Sequence, residues 1–344
     1  MKTAFLILNH RGPAQLVRLL TTLRSQLPDS PIVVHHDVFN NEIPSALIES
    51  IDNVHLLTSG NRVTWGDFSL VDVCSWSLRW MRENIEFDWI VLLSAQDYPI
   101  KPLANLADDL ARNGTEAVIG TAPISQLPLF KRMHMRRRYL YRYRPTSVAH
   151  PKWLARRMQD LLHRVGKISI LALNNLQPLV KIYRLDGSSY RIGWRANNTP
   201  FDRSWPCWYG SQWFALSRSA LEYALDYMVD HPEHVNYYRG TLVPDESILA
   251  TIINNAPNLR VANGEVTYTR WANSTISHPD IFQTADFSVL AAAPHYFARK
   301  FDIDVDPGIL DSLDEFIGQA GCQTNGNKDA ATASDPVTAS KVEN

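Results

Sequence analysis

The chain predicts an α/β fold, a largely parallel sheet with helices on both faces, in a single globular domain. Three observations predict it. Short apolar runs alternate with helix-period segments through the first 120 residues. Polar residues suited to ligands, His10, Asp37 and Asp97, follow the carboxyl ends of such runs, where open α/β sheets bind. The 344 residues are 45% hydrophobic, enough for a sizeable core. In order, Thr3–Leu8 reads as a strand, Ala14–Ser25 as a helix, and Ile32–His36 and Val54–Leu57 as strands. Asp67 opens a helix to about Asn84 with Val71, Cys74, Leu78 and Met81 on one face. Trp89–Leu93 is a buried strand ending in Ser94-Ala95-Gln96-Asp97, and Leu103–Arg112 the next helix.

From about Pro123 to Trp205 the pattern breaks into a basic, aromatic-laced insertion with a helical stretch near Pro151 to Val165. Regularity returns with a strand over Tyr209–Ser217, helices over Ser219–Val229 and Pro244–Asn254, and a strand over Val266–Trp271. The organisation expected is therefore a β/α half over 1–122, the insertion over 123–205, a second half over 206–317 and a disordered tail over 318–344, which has little to bury.

Ten Trp, thirteen Tyr and eleven His lean toward sugar rings and bases, although aromatic-rich cores are common. Cys74, Cys207 and Cys322 are widely spaced and show no CxxC, so neither a disulfide framework nor a zinc site is indicated. The apolar run Ala4–Leu8 is too short for a signal segment, and no stretch is long enough to span a bilayer. A cytoplasmic protein, free or peripherally attached at the inner face of a membrane, is expected.

The formal charge of −1 hides an asymmetry: residues 131–167 hold twelve Lys or Arg and one acid, Asp160. Arg136-Arg137-Arg138 interleaved with Tyr139, Tyr141 and Tyr143 suits an anionic membrane surface or an acidic acceptor glycan. A solvated loop is the plain alternative. No nucleic-acid fold signature accompanies these residues, and no nucleic-acid partner is expected.

Five segments carry a resemblance: Val33-Val34-His35-His36-Asp37; Trp65-Gly66; Leu93-Ser94-Ala95-Gln96-Asp97-Tyr98-Pro99-Ile100-Lys101; Gly210-Ser211-Gln212-Trp213 with Val243-Pro244-Asp245-Glu246-Ser247; and Phe297-Ala298-Arg299-Lys300-Phe301-Asp302. In this order, from about residue 4 to residue 315, the chain resembles the core-2/I-branching glycosyltransferases, which include the peptide O-xylosyltransferases. The resemblance implies a GT-A-like fold built on a Rossmann-like nucleotide-binding sheet. It also implies a UDP-sugar donor, inversion at the anomeric carbon and no metal requirement.

The same residues are readable without it. Asp37, at a strand end, could accept ribose hydroxyls or a base N–H, or cap its own turn. His10 could edge the base or cap the turn into Gly12-Pro13. Asp97 could orient the donor sugar or fix a turn. Glu246, in Pro-Asp-Glu at a helix start, suits a base that takes a proton from an acceptor hydroxyl, though helix-start acids usually complement the dipole. The resemblance makes it the base and leaves Asp245 to position the acceptor or cap the helix. The strand end carries a single carboxylate where a metal-dependent enzyme would have Asp-x-Asp. Arg299 and Lys300 are the candidates for the cations that replace the metal at the diphosphate, a solvated Arg-Lys pair being the plain alternative. Branching N-acetylglucosaminyltransferases use a further upstream Arg where this chain reads Ser277-His278-Pro279. That departure favours the xylosyltransferase-like arrangement. Trp213 and Trp271 could floor the acceptor site, or belong to the core.

The sequence thus points to an inverting, metal-independent transfer of N-acetylglucosamine or xylose from UDP to a hydroxyl of a glycan or glycoconjugate, with no cofactor. The alternatives are a glycoside hydrolase using Asp245 and Glu246, which neighbouring positions on one helix make awkward, and a non-catalytic nucleotide- or membrane-binding module.

Overall fold

The computed structural model describes residues 1–43, 45–146, 170, 173–185, 189–271 and 279–319. In chain order its strands are β1 Thr3–Asn9, β2 Ile32–His36, β3 Val54–Thr58, β4 Trp89–Ser94, β5 Asp97–Pro99, β6 Ala117–Pro123 and β7 Tyr141–Thr146. They continue with β8 Val180–Leu185, β9 Ser189–Arg195, β10 Trp208–Ser217, β11 Val261–Ala262, β12 Thr267–Thr269 and β13 Phe297–Arg299. The central sheet runs β11-β6-β10-β4-β1-β2-β3. Strands β3, β2, β1 and β4 are parallel, and β10 enters antiparallel between β4 and β6. Ala4, Phe5, Leu6 and Ile7 are all fully buried. Their unbroken apolar run is what a central strand covered on both faces requires.

Successive residues of these strands feed two cores. Leu6, Val33, Ile90 and Leu92 pack with the helices Phe68–Asn84 and Arg218–Asp230 on one face. Phe5, Ile7, Val34 and Val91 pack on the other, with the helix Pro13–Gln26 and Ile309, Leu310 and Leu313 of the helix over 308–319. Helix starts follow their chemistry. Asp67 accepts from the Ser69 N–H at 3.1 Å, Ser217 from the Ala220 N–H at 3.2 Å, and Pro13 opens its helix where no N–H is needed. A small sheet, β12-β13-β5, joins the end of the chain to the end of β4.

Three expectations shift. The helix expected over Leu103–Arg112 is shorter, Leu106–Leu110, and is followed by a 3-10 turn, Arg112–Gly114, in which Asn113 takes φ 61°. The helix expected over Pro244–Asn254 divides into a 3-10 turn, Pro244–Glu246, and a helix, Ile248–Asn254. Ser247 breaks it: its backbone leaves helical angles and its hydroxyl donates to the Trp208 carbonyl at 2.7 Å. The insertion is structured in its described parts. Leu129–Tyr139 is a helix, and β7-β9-β8 form a sheet in which Tyr141 and Tyr143 point inward while Arg142 and Arg144 are exposed. Gly193 is forced by that packing, since a Cβ there would lie 2.3 Å from the Tyr143 ring. The expected helix near 151–165 and the tail beyond 319 lie outside the described residues.

Candidate active site

A cleft of about 450 Å³ opens between the carboxyl ends of β1 and β4, where the strand order reverses direction. One wall is the turn from His10 to Gln15, the other Ala95 and Gln96, with Asn40, Asn41 and residues 302–304 closing it. Asn9 shapes the turn: its side-chain oxygen accepts from the Arg11 N–H and its amide donates to the Arg11 carbonyl, both at 3.0 Å. The same amide reaches His36 Nδ1 at 3.0 Å, so Nδ1 accepts and Nε2 donates to the Asn41 carbonyl at 2.6 Å. His36 therefore braces the Asn41 edge of the cleft. His35 is itself buried against Trp76, and burial pushes its pKa down to about 4.

His10 stands exposed at the rim, its pKa lowered by partial desolvation and by the charges of Arg11 and Lys300. Asp37 is turned inward, 3% exposed, with its carboxylate accepting from the Phe39 N–H at 3.0 Å, the Asn40 amide at 2.7 Å and the Val63 N–H at 3.3 Å. Three of about four acceptor positions are thereby used within the protein, two on its own loop and one on the segment after β3. Arg11, which sequence reasoning passed over, pairs with Asp302 at 2.8 Å across the mouth.

Beside the cleft lies a tight cluster. In the small sheet Thr269 is in register with Arg299, and Arg299 with Asp97. Asp97 is fully buried and accepts from the Ser94 N–H at 2.7 Å, the Ser94 hydroxyl at 3.0 Å and the Trp213 indole at 2.6 Å. Arg299 Nε stands 3.2 Å from Oδ1, the oxygen that also accepts from the Ser94 hydroxyl, as an ion pair without hydrogen-bond alignment, and the guanidinium carbon is 3.7 Å from the centre of the Trp213 ring. Burial raises the Asp97 pKa and lowers that of Arg299, each opposed by the other's charge. Trp213, read as an acceptor floor, thus spends its indole N–H and a face on this cluster. It gets there through an irregularity in β10: between the pairs Gly210–Thr121 and Phe214–Ile119 the register shifts. Gly210 is needed because a Cβ would lie 2.7 Å from Thr121 Cγ2 and 2.8 Å from the Gly120 carbonyl. Lys300 is half-buried and, among the described residues, forms no ion pair; burial, then Arg11 and Arg299, lower its pKa. Trp271 is 54% exposed, just past the end of β12.

Glu246 sits on the Pro244–Glu246 turn, which packs against β10 and the helix Phe68–Asn84. The turn is set by Val243 at φ 49°, a left-handed conformation that costs a β-branched residue of order 1–3 kcal/mol. Its N–H donates to the Gly66 carbonyl at 2.9 Å and its carbonyl accepts from the Tyr139 hydroxyl at 3.1 Å. Gly66 has φ 73°, which accounts for the Trp65-Gly66 pair. Arg138 Nη1 donates to Glu246 Oε2 at 2.5 Å. Burial opposes the Arg138 charge, but Tyr139 and Glu246 outweigh it and push its pKa up.

The core-2/I-branching enzyme family model matches residues 3–154 and 184–291, well over half of the chain. The chain belongs to the core-2/I-branching enzyme family. The beta-glucuronosyltransferase GlcAT14A of Arabidopsis thaliana is 22% identical over 340 residues, covering 92% of this chain and 64% of that protein. Xylosyltransferase 1 of Rattus norvegicus is 24% identical over 342 residues, covering 92% of this chain and 35% of the rat protein. Xylosyltransferase 2 of Mus musculus reaches 33% identity, over 124 residues that cover 30% of this chain and 14% of its own. The chain therefore spans about two thirds of the plant relative and about one third of the rat one. Its α/β architecture is the GT-A-like one the resemblance implied.

In this core-2/I-branching family member, Asp245 and Glu246 face different surroundings. Asp245 Oδ1 is cut off from solvent with no hydrogen-bond partner among the described residues, and the side chain lines a small apolar crevice with Cys74, Gln212 and Leu249. Burial, reinforced by Glu246, pushes its pKa up to about 7. Its pKa also fixes a stability dependence. A raised folded-state pKa stabilises the fold below the unfolded value of about 4, and that stability is lost as pH rises through about 7. Asp245→Asn should flatten the urea-midpoint profile between those pH values. An unchanged slope would place the titration elsewhere.

Arg138 was missed as a site residue because it stands in a run of three arginines. The useful signal is helical: Lys131 and Arg138 are seven apart, hence on one face. Lys131 lies over the Tyr209 ring at 4.8 Å, and Arg138 holds Glu246.

Proposed function

We propose that the chain is a glycosyltransferase that moves a sugar from a UDP-sugar to a hydroxyl of a glycan or glycoconjugate by a single inverting displacement. Glu246 takes the proton of the acceptor hydroxyl as its oxygen bonds to the anomeric carbon. The bond from that carbon to the diphosphate breaks, and UDP leaves with the electron pair, its charge met by Arg299 and Lys300 rather than by a metal ion. The observation that carries the reading is the division of labour along β10. Its irregular segment places Trp213 on Asp97 and Arg299, while Glu246, with one oxygen anchored by Arg138, packs against the same strand.

The cleft at His10 receives the nucleotide, with Asn40 and Asn41 as polar edges. Asp37 shapes that wall more than it contacts ligand, and Trp271 is the aromatic surface left for the acceptor. Xylose is the favoured donor sugar, because Arg299 and Lys300 are adjacent as in the xylosyltransferase-like arrangement. Glucuronate joins xylose and N-acetylglucosamine in the screen because of the plant relative's name. We place the protein in the cytoplasm, on the unpaired thiols Cys74 and Cys207. Any contact with an anionic membrane through residues 131–167 would be peripheral; no helix among the described residues is long and apolar enough to cross one. Two of the arginines expected to supply that contact are otherwise engaged, Arg137 with Asn175 and Arg138 with Glu246.

The test is calorimetric titration with UDP, followed by a donor screen read as UDP release with and without EDTA. UDP binding and an EDTA-insensitive rate are expected. Failure to bind UDP would overturn the transferase reading, and inhibition by EDTA that manganese reverses would overturn metal independence.

A further inference from the structure

A second concavity lies on the other flank of the helix Leu129–Tyr139. While Lys131 and Arg138 face Tyr209 and Glu246, Arg132 and Arg136, one turn apart and about 6 Å along the axis, line a groove of about 900 Å³. Arg195, at the end of β9, and Arg203, on the segment that leads to β10, join them, and Phe201 and Trp208 form its half-buried aromatic wall. Among the described residues none of these four guanidiniums pairs with a carboxylate. The groove's one acid among the described residues, Asp202, is occupied by its own loop: it accepts from the Ser204 N–H and hydroxyl at 2.7 Å and the Trp205 N–H at 2.8 Å. Arg132 is held by the Ser125 carbonyl at 3.1 Å.

We propose that this groove is an exosite for a uronate-bearing glycan strand, holding an acidic acceptor polymer apart from the transfer centre. The proposal rests on the transferase reading. Four guanidiniums that meet no carboxylate among the described residues, set in a walled concavity, concentrate negative charge. A guanidinium fork matches a carboxylate through two parallel hydrogen bonds. Flat aromatic faces beside those forks suit the apolar faces of sugar rings. A flat bilayer would leave the groove's aromatic wall unused.

The test measures binding of an oligogalacturonate to the full chain at low and high salt, against a neutral galactan, polyglutamate and phosphatidylserine vesicles. The proteins are wild type, Arg136→Glu with Arg195→Glu, and Arg136→Gln with Arg195→Gln, each checked for thermal midpoint and UDP affinity. Oligogalacturonate should bind in a salt-sensitive manner and the neutral glycan should not. Affinity should fall about tenfold per reversed charge, the size of one charge-assisted hydrogen bond, and less in the Gln pair, with UDP affinity unchanged. Wild-type protein that binds UDP but not oligogalacturonate overturns the exosite alone, as does undiminished binding in the Gln and Glu pairs. Equal capture of polyglutamate reassigns the groove to acidic peptides, and stronger capture of vesicles to a membrane. Loss of UDP binding in the wild type condemns the transferase reading instead.

Discussion

Glu246→Gln is expected to keep UDP-sugar affinity and lower kcat by roughly 10³-fold, within the range of a lost general base. The carboxylate is divided between two tasks. Oε2 accepts from Arg138 at 2.5 Å, and in the proposed mechanism Oε1 is the oxygen that meets the acceptor. In the variant the amide oxygen can remain on Arg138, so the NH₂ group takes the position of the base. It fits that space and cannot accept a proton. Since Arg138 keeps its partner, the fold should survive, and kcat should fall without a matching loss in thermal midpoint. A structural role for Glu246 predicts the reverse pattern, and wild-type kcat in the variant would exclude Glu246 as the base.

The sheet was legible because its strands are covered on both faces. Runs such as Thr3–Leu8 and Trp89–Leu93 have no other use, and the structure extends them by one residue each, to Asn9 and Ser94. Less regular elements depended on contacts that no window of sequence contains. Ser247 is an ordinary helical residue until its hydroxyl meets the Trp208 carbonyl, and with it Glu246 moves from a helix to a tight turn. Alternation in Tyr141-Arg142-Tyr143-Arg144 was a strand signal hidden by its own chemistry, since the inward residues are phenols and the outward ones arginines. Among the candidate site residues, Asp97, Trp213 and Arg299 meet in space. Composition could not reveal that Trp213 belongs with Asp97 and Arg299, because only the irregularity in β10 turns it there.

That meeting changes what removal of each cation should do. Arg299 is the charge partner of a carboxylate with no exposed surface. Arg299→Ala would strand Asp97 beside Trp213, and breaking a buried pair from one side typically costs about 3–5 kcal/mol. A drop in thermal midpoint is therefore expected together with a fall of about 10²-fold in kcat/KM, the scale of one lost transition-state donor. Arg299→Lys should recover much of the midpoint, but it cannot restore the planar stack on Trp213. Lys300 offers the cleaner experiment. It is half-buried, and among the described residues no carboxylate pairs with it, so Lys300→Ala strands nothing. Burial together with Arg11 and Arg299 works against its charge in the unliganded protein, a cost that an incoming diphosphate would offset. The variant should hold the wild-type midpoint, weaken UDP binding and lose about 10²-fold in kcat/KM, with kcat itself reduced because the charge matters most as the phosphate–sugar bond breaks. Thermal midpoint, UDP affinity and kcat measured together on these three variants separate the diphosphate role from the structural one. Wild-type UDP affinity and kcat in Lys300→Ala would remove Lys300 from the site and leave Arg299 as a residue that serves Asp97 alone.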